Sequence, residues 1–109
     1  MNFRHVGHAC VVMTNGDFSL TTDPWFGEPL NHGTFHAFPA IRELSAAEIQ
    51  KIDAIHISHI HQDHLSATTL AKFSKSTPVM IARHVDRQFI DRIALHRLAS
   101  KILLRVRLG

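Results

Sequence analysis

A single cysteine, Cys10, occurs in the 109 residues, and this excludes an internal disulfide. It lies in the apolar run Ala9-Cys10-Val11-Val12-Met13, so an inert buried thiol is expected. No apolar run approaches the length that a membrane-crossing helix needs. No basic stretch followed by a long apolar one opens the chain, so no secretory signal is expected, and together with the lone thiol this points to a cytoplasmic protein. Internal repeats and low-complexity tracts are also missing. Residues 83–109 carry seven Lys/Arg against two acids, whereas residues 1–82 carry five against seven. Such a basic segment suits a polyanion, but no aromatic residues interleave with its arginines to stack on bases, and nucleic-acid binding is disfavoured.

What is present describes a globular chain. A hydrophobic fraction of 45% with 19% charged residues can bury a modest core, and the length allows one domain, residues 1–109. Strands are expected at Phe3 to Val6, Ala9 to Thr14 and Phe18 to Thr22, with Asn15-Gly16 as the hairpin turn between the last two. Asp23-Pro24 ends that ladder. From Trp25 to Leu44 the pattern is irregular and punctuated by Pro29, Gly33 and Pro39, a long loop of the kind that covers a site. Ser45-Ala46-Ala47-Glu48 reads as a capping box opening a helix to about Lys51. Asp53 to Ser58 reads as a strand, Ser66 to Phe73 as a capped helix, Pro78 to Ala82 as a strand, Asp86 to His96 as a helix and Lys101 to Val106 as a last strand. The fold class expected is α+β: a mixed β-sheet with helices on one face. The chain stops three residues after an apolar strand without a second layer for the sheet, so a truncated domain is expected.

The densest chemistry lies at His59-Ile60-His61-Gln62-Asp63-His64, four metal-capable side chains in six residues after a strand. Imidazoles with a carboxylate are the donor set that zinc and similar divalent ions favour. In extended backbone His59, His61 and Asp63 share a side, whereas His64 needs a turn to join them. His56 alternates away from His59 and is expected to pack rather than ligate. His5, His32 and His36 have no metal-ligand spacing, although the last two lie in the loop that covers the site.

This pattern resembles the metallo-β-lactamase fold superfamily of metal-dependent hydrolases, whose signature matches His59-x-His61-x-Asp63-His64 after the strand Ile55-His56-Ile57-Ser58. Gly7-His8-Ala9 and Thr22-Asp23-Pro24-Trp25-Phe26 are similar to the branch holding ascorbate-6-phosphate lactonases and N-acylphosphatidylethanolamine phospholipase D-like enzymes. Ile57 to His61 and Asp63 to Ser66 also resemble the metal domain of CMP-N-acetylneuraminate hydroxylase-like proteins.

The resemblance covers roughly residues 3–84 and implies the first half of an αββα sandwich. It implies that His59 and His61 hold one metal, that Asp63 and His64 hold a second, and that Asp63 also orients the attacking water. One or two zinc ions are expected, with manganese or iron as the other metals used by the superfamily. The implied reaction is attack of activated water on a phosphodiester, lactone or related ester of a small molecule. The family's later ligands have no counterpart here: His84 and His96 lack its surrounding pattern. Three readings therefore stand: a hydrolase, a non-catalytic half-domain that binds metal weakly or needs a partner chain or self-association, and, less favoured, a nuclease of the same fold. His8 either lines the pocket or merely starts a strand, and Asp23 either buttresses the metal loop or forms a turn. Trp25 and Phe26 are equally readable as a pocket wall or as packing.

Overall fold

The computed structural model describes residues 1–31, 33–58, 61–82 and, for its backbone, 103–106. The expected helix at 86–96 and His59 lie outside these residues. Six strands form one sheet in sequence order: β1 Asn2–Gly7, β2 Cys10–Asn15, β3 Phe18–Thr22, β4 Ala54–His56, β5 Val79–Ala82 and β6 Leu103–Val106. The first three pair antiparallel and β3 to β6 pair parallel, so the sheet is mixed. The switch follows from connection length. Two-residue turns can only return the chain antiparallel, whereas β3 to β4 and β4 to β5 are joined by long crossovers that each carry a helix.

The hairpin turn falls one residue later than the Asn15-Gly16 dipeptide suggests. Asn15 pairs with Phe18, which leaves Gly16 and Asp17 as the loop. Gly16 takes φ +61, open to glycine without a Cβ clash. Helix α1, Ala46–Gln50, begins at the capping box: Ser45 Oγ accepts from Glu48 N at 3.2 Å while Glu48 Oε1 accepts from Ser45 N at 3.0 Å. Glu48 also pairs with Arg4, which ties the helix to β1. Helix α2, Ala67–Leu70, is shorter than its pattern suggests. Lys72 and Phe73 bond back to Thr69 and Leu70, three residues earlier, so the last turn tightens out of α geometry.

Alternation along the strands sorts the core. Val12, Thr21, Ile55 and Val79 lie in register across four strands. With Cys10, Ile57 and Ile81, Ile55 and Val79 of this face pack under Leu44, Ile49, Ile52, Leu65, Leu70 and Phe73 as one buried cluster, and the partly buried Val12 packs against it. Helices thus cover one face, as the alternating pattern implied. The opposite face carries Phe3, Met13, Leu20, His56 and Met80 at partly or fully exposed positions. Phe3 is 66% exposed there.

The parallel strands β3, β4 and β5 end on the same edge of the sheet. Asp23 N donates to His56 O at 2.7 Å, which locks the exits of β3 and β4 together. Because β2 runs antiparallel to β3, the β1–β2 turn at His8-Ala9 reaches that same edge, where Thr22 Oγ1 donates to Ala9 O at 2.8 Å. Loops at the carboxyl ends of parallel strands are where α/β sheets place their ligands.

Candidate metal centre

Three sequence-distant pieces meet at this edge. The first is the turn at 61–65. His64 N and Leu65 N both donate to His61 O, at 2.9 and 2.7 Å. Adjacent residues of an extended chain would point apart; the turn instead sends Asp63 and His64 to the same side. The second is Asp23, 8% exposed, with φ +34, a backbone setting that Asp tolerates better than most residues. The third is His8, held at φ +52 between β1 and β2. A non-glycine residue at positive φ is often a functional position.

One ligand atom from each of His8, Asp63 and His64 lies within 4.8 Å of the others. Asp63 Oδ2 stands 2.7 Å from His8 Nε2 and 3.6 Å from His64 Nε2. Donors around a tetrahedral zinc, at about 2.0–2.2 Å from the ion, are separated by roughly 3.3 Å. Shifts of about 1 Å would therefore seat all three, and the donor set, two imidazoles and a carboxylate, suits a borderline divalent ion. Asp63 accepts a hydrogen bond from His8, so a cation would replace the proton shared by that pair.

Asp23 settles the orientation of His64. Its Oδ1 accepts from Ser58 N at 2.7 Å, and its Oδ2 accepts from Ser58 Oγ at 2.6 Å and from His64 Nδ1 at 2.9 Å. A carboxylate only accepts, so Nδ1 carries a ring hydrogen, and in the neutral ring the lone pair is on Nε2, the atom facing Asp63. This is the carboxylate–histidine arrangement that commonly supports a metal ligand from behind. Burial pushes the Asp63 carboxyl upward, but the hydrogen bond from His8 and the charges that His64 and His8 carry when protonated outweigh it, so its pKa falls below the usual carboxylate value.

The structure thus brings together Asp63, His64, His8 and Asp23 of the residues singled out by sequence. His61 shapes the turn through its carbonyl, and its side chain is outside the three-residue cluster. His56 faces away from the covered side and contributes its carbonyl to Asp23. Trp25 is buried, edge-on to the His8 ring at 5.2 Å, and Phe26 joins the core. Sequence reasoning gave Ser58 no part, yet it supplies two of the donors to Asp23. No local signal marks such a contact, because it spans 35 positions. Glu28 was also missed: its carboxylate accepts from Ser66 Oγ at the start of α2, fastening the covering loop to the helix that follows the turn.

Known proteins share this arrangement of strands. The fold matches a possible metal-dependent hydrolase from Veillonella parvula with a TM-score of 0.71 at 20% identity, over 95% of this chain and 41% of that one. It matches an isothiocyanate hydrolase from Delia radicum gut bacteria with a TM-score of 0.75 at 13% identity, over 98% of this chain and 42% of that one. In sequence, cytidine monophosphate-N-acetylneuraminic acid hydroxylase of Danio rerio is 30% identical over 78 residues, which is 72% of this chain and 13% of the relative. The same enzyme of Asterias rubens is 38% identical over 74 residues, 65% of this chain and 11% of the relative. The chain therefore spans under half the length of the matching structures and under a sixth of these relatives. The family model described as the beta-lactamase superfamily domain matches residues 2–103, nearly the whole chain, and with the fold and the strand-end cluster this establishes that the protein belongs to that superfamily.

Proposed function

We propose that this chain is the metal-binding half-domain of a metal-dependent hydrolase acting on a phosphodiester, lactone or related ester of a small molecule. The observation that carries the reading is the convergence of His8, Asp63 and His64 within 4.8 Å at the ends of the parallel strands. Asp63 and His64 hold a divalent ion, with His8 as their third partner. His59 and His61, the first pair of the motif, are assigned to a neighbouring ion. Zinc suits these donors best, with manganese or iron as alternatives. A bound ion supplies Lewis-acid activation of water and of the substrate oxygen.

The chain's own groups do the rest. Asp63, kept ionised by His8 and His64, accepts a hydrogen bond from the attacking water and fixes its direction. Asp23 and Ser58 hold the His64 ring so that Nε2 faces the cluster. Trp25, packed edge-on to His8, shields one flank from bulk water. A cytoplasmic setting fits the reading, and no helix among the described residues is long and apolar enough to cross a membrane.

A second reading is favoured by two observations. The chain covers only 41–42% of the matched structures, and one sheet face carries partly or fully exposed apolar side chains. On this reading the chain is a non-catalytic half-domain that works with a partner chain. One experiment separates the two. Zinc content is measured on the purified chain and on His8→Ala, Asp63→Ala and His64→Ala variants, beside hydrolysis of bis(p-nitrophenyl) phosphate and p-nitrophenyl acetate. Zinc binding weakened by each substitution, with hydrolysis that depends on the metal, supports the hydrolase. Zinc binding without turnover supports the half-domain. A chain that takes up no divalent ion in excess refutes both metal assignments.

A further inference from the structure

Beside the metal cluster lies a cleft of about 340 Å³ between the β1–β2 turn and the covering loop. His8 lines it and also belongs to the cluster, so the two sites share a wall. His5, Trp25, Phe35, His36 and Ile41 line it as well, and no Asp, Glu, Lys or Arg does so among the described residues. The Trp25 and Phe35 rings stack at 5.8 Å between centroids, with 30° between their planes. Phe38, at the rim, is 93% exposed. The covering loop is also held close by design of the backbone: Gly7 lets Ile41 approach so nearly that a Cβ on Gly7 would stand 2.5 Å from Ile41 Cγ1.

We infer that this cleft is the substrate subsite for an uncharged aryl or short acyl limb, whose ester or phosphoester end reaches the metal cluster past His8. The inference rests on the hydrolase reading, since His8 must serve both sites. Three features decide the class of ligand. The volume, at the small end of ligand pockets, admits one ring or a short chain and not a long lipid. The exposed ring of Phe35, backed by the buried Trp25, rewards a flat or apolar group. Among the described residues no Lys or Arg lines the cleft to neutralise a remote phosphate, so against this lining a phosphosugar or nucleotide limb would lose its hydration without compensation. The imidazole of His36 can donate a hydrogen bond to a neutral ether or carbonyl oxygen, whereas the Nε2 hydrogen of His5 is already given to His8 O at 2.8 Å.

The test uses the full chain loaded with zinc and titrated calorimetrically with phenylphosphonate, methylphosphonate and ribose 5-phosphate. The three share a phosphoryl head group and differ in the limb. Phenylphosphonate is expected to bind about tenfold more tightly than methylphosphonate, and ribose 5-phosphate no better than methylphosphonate. Phe35→Ala should bring the phenyl-to-methyl ratio close to one. Ala40→Phe, which fills the cleft from an exposed position, should do the same, so a folding defect in either variant would not decide the matter. A second arm needs no metal: the emission of Trp25, the sole tryptophan, is followed while benzyl alcohol is added to metal-free chain.

Equal phenyl and methyl affinities on zinc-loaded protein would overturn the subsite and leave the metal centre standing. A chain that binds no zinc, but whose Trp25 emission still responds to benzyl alcohol with Phe35→Ala abolishing the response, would overturn the metal centre and support the apolar cleft. Silence in both arms overturns both. Equal affinities accompanied by self-association that Phe38→Ser abolishes would assign the rim to a protein contact instead.

Discussion

Replacing Asp23 by Asn tests the site at its least visible support. The substitution preserves shape, and Asn tolerates the positive φ of this position as Asp does, so the backbone has no reason to move. Its two amide ends are not equivalent. Ser58 N can only donate, so the amide oxygen must stay at the Oδ1 place, 2.7 Å from it. The amide NH2 then occupies the Oδ2 place, facing Ser58 Oγ and His64 Nδ1. The serine hydroxyl can turn from donor to acceptor. His64 can accept at Nδ1 only by moving its hydrogen to Nε2, the atom that faces Asp63 at 3.6 Å.

The variant therefore presents an N–H where a cation needs a lone pair. Loss of such a supporting carboxylate typically costs 10–100-fold in metal affinity, or about 1.4–2.8 kcal/mol. Two bonds at Oδ2 also lose their charge assistance, so stability should fall by about 1–2 kcal/mol and Tm by roughly 4–16 °C for a domain of this size. Zinc affinity is read by competition with a chromophoric chelator, and the tautomer by imidazole nitrogen shifts in long-range proton–nitrogen NMR spectra. Zinc affinity within twofold of the native chain, with the hydrogen of His64 still on Nδ1, would refute the reasoning.

Three further outcomes follow from particular contacts. Gly7→Ala places a methyl 2.5 Å from Ile41 Cγ1 and should destabilise by about 1–3 kcal/mol; chemical denaturation of the single variants and of Gly7→Ala/Ile41→Ala should show a non-additive double mutant, and strict additivity would count against the clash. The Glu48 carboxyl is pulled down to about 2 by Ser45 and Arg4 from an ordinary 4.5, so the stability it confers is present above pH 4.5 and is lost as pH falls toward 2. Thermal melts of native and Glu48→Gln chains should accordingly converge over that window, and a constant difference would contradict the pairing. Cys10, fully buried beside Thr21 and with its thiol pushed up by burial, should react with a disulfide reagent slowly in the folded chain and promptly in guanidinium.

Some of the site was legible in the sequence because its signals are local. The Ser45–Glu48 capping box spans four residues, and both of its bonds are present. The alternating strands gave a covered face with the apolar residues on it, and strand β3 runs over the span that its pattern suggested. The turn residue was misplaced by one, since Asn15-Gly16 and Gly16-Asp17 are both good turn pairs and only the pairing of Asn15 with Phe18 chooses between them. Helix α2 ended early because its last residues adopt tighter bonds, and nothing in their spacing distinguishes that from another α turn.

The sequence by itself determined the chemistry available: three imidazoles and one carboxylate at 59–64, a glycine before His8, an aspartate before Pro24. Density of ligand-type residues is a property of the chain and needs no coordinates. Only the tertiary structure decided which of them meet. His8 reaches Asp63 across 55 positions and Asp23 reaches His64 across 41. Those meetings exist because β2 runs antiparallel to β3 while β3 and β4 run parallel, which brings a hairpin turn and two strand exits to one edge of the sheet. Strand direction is set by which long-range pairings bury the apolar face, and that choice is made by the whole chain at once.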